Sequence, residues 1–185
     1  MKKFWIVATI LIAGCGHYIG VNAKENYKLS WTGVVSHVSD GDTLWVRPSG
    51  GGEAVKIRID GIDAPEICQA YGSEAQQALR QLVLHQAVQV RGRARDSYGR
   101  LVAQVQVQQA DIGQRMVASG HAWAHSYRSY KSAYGAQQNA AQRARIGLFA
   151  GHNPQNPRDF RKQHGSCKPD PAFVSRRKPG KPYHG

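Results

Sequence analysis

The tightest constraint on this chain is a series of short apolar segments, cut apart by turn residues. Val55, Ile57 and Ile59 alternate with Lys56, Arg58 and Asp60. A period of two turns the apolar trio to a core face and Arg58 to the opposite face of a strand. Two segments of similar character precede it: 32–39, with Val34, Val35 and Val38, and 43–47, with Leu44 and Val46. Pro48-Ser49-Gly50-Gly51-Gly52 supplies the turn before the third.

A helix follows. Ala75, Ala78, Leu79, Leu82 and Val83 recur at helical spacing, and Ser73 with Gln76 three residues later has the capping-box pattern. Residues 88–95 and 101–107 read as two more strands, joined at Asp96-Ser97-Tyr98-Gly99. Asp111 is placed to cap a short helix through Met116 and Val117, with Gly120 at its C′ position. The Ala-rich segment 133–145 is a last helix, ended by Gly147. The order is β-β-β-α-β-β-α-α. Five short strands with a helix after the third suggest a small OB-type barrel, in an α+β chain that is mainly β, with about three helices packed on it.

The length of 185 residues suits one domain with terminal extensions. Hydrophobic residues make up 41% and charged residues 20%, which argues against wholesale disorder. The apolar runs are too short for a multi-span membrane protein. The 25 Lys+Arg against 12 Asp+Glu give +13, which points to a polyanionic partner: nucleic acid or an anionic membrane surface.

The first residues read as an export address. Met1-Lys2-Lys3 precedes the apolar stretch from Phe4 to Gly14, the pattern of a secretory signal. Two processing sites compete. Val21-Asn22-Ala23 before Lys24 would end a 1–23 signal peptide and release a secreted or periplasmic protein. Ile12-Ala13-Gly14-Cys15 resembles a lipobox, which would anchor the protein to a membrane through Cys15. Either route leads to oxidising, calcium-containing surroundings. Cys68 and Cys167 then read as one disulfide, with two free thiols as the alternative. Residues 24–157 make the folded domain. Residues 158–185 read as a basic, largely disordered tail, which is either a solvated solubility tail or a contact for nucleic acid or membrane.

Three clusters carry chemistry: Asp40-Gly41-Asp42-Thr43 between two strands; Arg58-Ile59-Asp60-Gly61-Ile62-Asp63-Ala64-Pro65-Glu66; and Tyr98-Gly99-Arg100 at a hairpin. Pro65 cannot continue a ladder, so the strand ends near Asp63 and presents carboxylates. In this order and spacing the clusters resemble the staphylococcal nuclease (thermonuclease) family over about residues 31–150. The resemblance implies an OB barrel and calcium-dependent hydrolysis of DNA and RNA that leaves 3′-phosphates. It implies Asp42 and Asp63 as calcium-binding carboxylates, with the Ala64 carbonyl as a further ligand. Glu66 matches the general base, and Arg58 and Arg100 match the phosphate-binding arginines. Tyr98 matches an aromatic framing the nucleotide, and Tyr127 or Tyr130 a second one. The chain departs from the family's type member at Ala64, where that protein has Thr, and at Ser97, where it has Lys.

The residue chemistry agrees with those roles. Calcium takes six to eight hard oxygens, which carboxylates, a carbonyl and water provide. Two guanidiniums pair with phosphate oxygens in a fork and keep their protons. His121 and His125 have H-x3-H spacing without the Glu of a zinc-protease helix, and Gly50-Gly51-Gly52 lacks the Lys of a P-loop. A monomeric enzyme without a stable protein partner is the expectation. The alternative is a non-catalytic OB module that binds single strands.

Overall fold

The structure is a computed structural model that describes residues 30–125 and 132–167. The export segment with Cys15, the candidate aromatics Tyr127 and Tyr130, and residues 168–185 lie outside the described residues.

Five strands close a barrel. β1 (Ser30–Val38) pairs antiparallel with β2 (Thr43–Pro48) and with β5 (Ala87–Arg95). β2 pairs with β3 (Val55–Ile59), and β5 with β6 (Leu101–Val107). A parallel pairing of β3 with β6 joins the two ends, so no edge of these five strands is left to template aggregation. Bulges between Val35 and His37 on β1, and between Gly92 and Ala94 on β5, bend the two strands that must curve furthest. Gly33 belongs to the same curvature, because a Cβ there would lie 2.5 Å from the Arg47 carbonyl oxygen. Inside sit Val35, Val38, Leu44, Val46, Ile57, Ile59, Val90, Ala103 and Val105, all buried. Each such Val, Leu or Ile side chain removed from water contributes about 1.5–3 kcal/mol. The alternation in β3 holds: Ile57 and Ile59 enter the barrel and Arg58 does not.

Helix α1 (Gly72–Val83) covers the barrel with Ala75, Leu79 and Val83. The Ser73–Gln76 capping box does not form. The helix starts two residues earlier, after Tyr71 in a left-handed conformation (φ 69°). Ser73 Oγ instead donates to Glu74 Oε2 (2.8 Å), and Gln76 Nε2 donates to the Ser39 carbonyl (2.9 Å). The cause is a close approach: a Cβ on Gly72 would lie 2.0 Å from the Glu66 carbonyl oxygen. Packing of the Glu66 turn therefore decides where α1 begins.

α2 (Ile112–Ala118) is capped as its sequence requires. Asp111 Oδ1 accepts from the Gln114 amide (2.9 Å), and Gly120 turns the chain at φ 70°. α3 (Gly135–Ala144) is shorter than expected. Arg145 takes the left-handed position (φ 53°), and Gly147 opens a short 3₁₀ turn instead of ending the helix. Two short ladders complete the barrel's cover: β4 (Ile62–Asp63) with β8 (Trp123–Ala124), and β6 with β7 (Ala110–Asp111).

A fourth helix, α4 (Pro157–His164), lies where the sequence reading began the basic tail. Asn156 caps it by accepting from the Arg158 amide (3.0 Å), and Pro157 occupies its first turn. A disulfide joins Cys167, just beyond α4, to Cys68, just after Glu66, with Cα atoms 5.8 Å apart.

Candidate active site

The candidate site residues cluster where β2 begins, where β3 ends, and along β4. Two loops meet closely there, since a Cβ on Gly41 would lie 2.6 Å from Ala64 Cβ and 2.8 Å from Ala75 Cβ. That contact is the reason for the Asp-Gly-Asp sequence: the glycine lets the loop reach the β4 end, and the flanking aspartates are carried with it. Asp42 and Asp63 are 6% and 2% exposed, which demands partners for both carboxylates. Asp42 Oδ2 accepts from the Ala64 amide (2.9 Å) and Oδ1 from Thr43 Oγ1 (3.0 Å).

Arg58 bridges the two aspartates. Its Nη1 lies 3.0 Å from Asp42 Oδ2, and its Nη2 lies 3.0 Å from Asp63 Oδ1. Nη1 also donates to the carbonyls of Ile62 (2.8 Å) and Ile59 (3.1 Å), so the guanidinium is clamped to the backbone. Burial disfavours its charge, but Asp42, Asp63 and Asp40 outweigh that effect, and its pKa is raised. Asp40 receives the Asp42 amide hydrogen bond (3.0 Å). Burial, followed by repulsion from Asp42, pushes the Asp40 carboxyl up to about 7.

Glu66 is held by its own turn. Its amide donates to Gln69 Oε1 (3.1 Å), and its carbonyl accepts from the Gln69 amide (2.8 Å). Its carboxylate meets a group that the sequence reading left in the tail. Arg161, on α4, donates from Nη1 to Glu66 Oε1 (2.9 Å) and to Asp63 Oδ1 (3.1 Å), and from Nη2 to Asp63 Oδ2 (2.9 Å). Burial opposes the Arg161 charge, but Asp63 and Glu66 overcome it and raise its pKa. His125 Nδ1 stands 3.9 Å from Asp63 Oδ2. Burial lowers the His125 pKa despite that carboxylate.

Arg100 enters from the β5–β6 hairpin. Asp96 shapes that turn by accepting from the amides of Tyr98 (3.0 Å) and Arg100 (2.9 Å), and it orients the guanidinium through Nε (2.7 Å). Burial raises the Asp96 pKa, but these bonds to Arg100 outweigh it and the net shift is downward. Arg100 Nη1 reaches Thr43 Oγ1 (3.4 Å), which joins the hairpin to Asp42. Tyr98 is exposed, with Arg100 stacked 5.4 Å from its ring centre.

One cleft of about 510 Å³ is lined by Arg58, Arg93, Tyr98, Arg100, Arg158 and Arg161 among others, beside the carboxylates that Arg58 and Arg161 hold. Guanidiniums stand on both sides of a carboxylate cluster, an arrangement suited to binding a phosphodiester and stabilising added negative charge. Asp42, Ala64, Asp63, Arg58, Glu66 and Arg100 thus come together, with Tyr98 at the rim. Arg161 escaped the sequence reading because it sits among other tail cations. The signal that would have found it is Cys167, whose disulfide partner Cys68 follows Glu66 by two positions.

A hard cation suits the donors present. The carboxylates of Asp42, Asp63 and Glu66 meet the guanidiniums of Arg58 and Arg161 and offer the hard oxygen donors that calcium takes. Among the described residues no three or more His, Cys, Asp or Glu side chains are grouped so as to hold a metal ion, and the guanidiniums occupy the carboxylates.

The model of the family described as "Staphylococcal nuclease homologue" matches residues 56–151, a span that includes Arg58, Asp63, Glu66 and Arg100. A Haemophilus influenzae protein named an uncharacterized endonuclease is 38% identical over 129 residues, covering 70% of this chain and 72% of its own. The micrococcal nuclease of Shigella flexneri is 37% identical over 143 residues, covering 70% of this chain and 80% of its own. An Escherichia coli O157:H7 protein named an uncharacterized endonuclease is 36% identical over 126 residues, covering 68% of this chain and 81% of its own. With the barrel and the arginine–carboxylate cleft, these matches make the chain a phosphodiester-hydrolysing nuclease that belongs to the staphylococcal nuclease family.

Proposed function

We propose that the protein hydrolyses DNA and RNA with little base specificity, in a calcium-dependent reaction that leaves 3′-phosphates. The observation that carries this reading is the unbroken chain of contacts from Arg100 through Thr43, Asp42, Arg58, Asp63 and Arg161 to Glu66. It joins two phosphate-binding cations, two metal-suited carboxylates and a base in one contact network, of which Arg58, Arg100 and Arg161 line the cleft.

Asp42, Asp63 and the Ala64 carbonyl would hold the calcium ion, which when bound supplies positive charge to a phosphate oxygen. Arg58 and Arg100 bind the non-bridging oxygens and meet the second negative charge that builds as water attacks phosphorus. Glu66 orients that water and takes its proton. The P–O5′ bond breaks, the 5′ oxygen leaves with a proton from solvent, and the phosphate stays on the 3′ side. Tyr98, with Tyr127 as a second aromatic, stacks on a base, which tolerates any sequence. The cationic surface gathers the strand. Residues 1–23 direct export, as a soluble monomer or one anchored through Cys15.

The test is cleavage of a labelled single-stranded DNA by the exported form, with calcium and then with chelator, beside Glu66→Gln. Calcium-dependent cleavage that Glu66→Gln abolishes is expected. Binding without cleavage in calcium would make the chain a single-strand-binding module instead.

A further inference from the structure

We infer that Arg161 is a positioning residue of this active site: delivered by α4 and fastened by the Cys68–Cys167 bridge, its guanidinium sets the orientation of the Asp63 and Glu66 carboxylates. The inference rests on the roles proposed above for those two acids.

Three observations carry it. The first is the geometry. Arg161 forks across both oxygens of Asp63 and one oxygen of Glu66, with all three bonds between 2.9 and 3.1 Å. A planar guanidinium fixes two carboxylates relative to one another in a way that a single ammonium cannot. It engages Glu66 through Oε1, so Oε2 is the oxygen available to a water.

The second is the way α4 is held. Pro157 is its one buried residue, so the helix has little apolar anchoring of its own. Its ties are the disulfide, the bond from buried Gln69 Nε2 to the Gln155 carbonyl (2.7 Å), and Arg161 itself. All three of these ties end on the turn 66–69, which carries Glu66. Disulfide, Gln69 and Arg161 therefore lock one helix to one catalytic turn.

The third is location. Arg161 lines the same cleft as Arg58 and Arg100, with its side chain 30% exposed, so it is placed at the candidate site and not behind it. A latch that had to leave before turnover would act in the opposite direction, and the test separates the two.

The experiment compares full-length wild type, Arg161→Ala, Arg161→Lys, Cys68→Ser/Cys167→Ser and the triple variant, measuring kcat and KM on one oligonucleotide in calcium. Arg161→Ala is expected to lower kcat about tenfold or more, the range for a misplaced catalytic group, with KM changed less than about threefold. Arg161→Lys should restore only a small part. The cysteine pair should lower kcat in the same direction, and adding it to Arg161→Ala should cost little more, because both act through one guanidinium. Melting curves check that each variant is folded at the assay temperature. Wild-type kcat in Arg161→Ala, full rescue by Lys, or additive losses in the triple variant would overturn the inference. A rise in kcat would make α4 a latch and overturn it too. Glu66→Gln assayed alongside keeps the two levels apart. If that variant is active, the proposed mechanism falls. If it is dead while Arg161→Ala is normal, only this inference falls.

Discussion

Arg58 lies on barrel strand β3, Asp42 directly precedes β2 and Asp63 lies on the short β4 ladder, whereas Arg161 reaches Asp63 and Glu66 from a helix that buries little more than a proline. The strand-borne half inherits its precision from ladders that close on themselves, with a core of fully buried Val, Leu and Ile behind them. A displacement of Arg58 would have to disturb β2, β3 and β6 together. The helix-borne half has no such backing. It depends on one covalent bridge and a few polar bonds, so its precision can be removed without unfolding the barrel. The same active site is thus held by two kinds of constraint, cooperative burial on one side and point attachment on the other.

The largest expected effect is on the strand side. Arg58→Ala should lower kcat by about 10²–10³, equivalent to about 2.7–4 kcal/mol of transition-state stabilisation. It should also destabilise the fold by about 3–5 kcal/mol, because two buried aspartates lose their shared cation. Activity assays and urea melts measure the two losses. A kcat loss below tenfold would leave Arg58 as a binding group only.

On the helix side, the Cys68→Ser/Cys167→Ser variant should lose about 2–4 kcal/mol of stability, as expected for a long loop released in the unfolded chain. Urea melts of oxidised wild type and variant test this. In hydrogen exchange the barrel ladder should lose no more protection than that global loss, while α4 opens locally at a much smaller free energy. Equal labilisation of β3 would show that the two halves are not held independently.

The next effect lies at the seam. Asp111 caps α2 and accepts from the Tyr134 hydroxyl through both oxygens (3.0 and 2.9 Å), linking the barrel's cover to the start of α3. Asp111→Ala should cost about 1–2 kcal/mol through the lost cap and the stranded hydroxyl. Thermal melts should show it, with kcat close to wild type.

The smallest effect concerns Tyr71, which packs against the barrel core and against a second cluster of Ala141, Leu148 and Phe149, and whose hydroxyl meets His121 Nδ1 at 3.0 Å. Burial lowers the His121 pKa below its usual 6.5. Between the folded value and about 6.5 the unfolded chain binds more protons, so stability rises with pH there and falls on acidification. Acidifying from neutral pH through that window should therefore destabilise wild type more than His121→Gln. Parallel pH dependences in chemical denaturation would remove His121 from the account.

The barrel was legible because period-two alternation is a local signal, and Ile57 and Ile59 entered the core as their spacing required. The Asp111 cap and the Gly120 turn were legible for the same reason. The Ser73–Gln76 box failed because its competitor is not local. Glu66 presses its carbonyl against Gly72, and Gln76 finds carbonyls at the end of β1. Arg161 was hidden for a related reason. Its neighbours in sequence are tail-like, and its partners are 95 and 98 positions away.

Sequence by itself determined the family, the barrel and the order of acids and arginines along it, because those follow from alternation, turn chemistry and short motifs. Tertiary structure alone decided that Arg58 spans Asp42 and Asp63, where α1 starts, and that a stretch read as tail supplies a guanidinium to the site. These outcomes depend on long-range closure: parallel pairing of β3 with β6, a glycine contact between loops, and a disulfide spanning 99 positions. Local propensity carries no information about such distances, because their free energy comes from groups that meet only once the chain has folded.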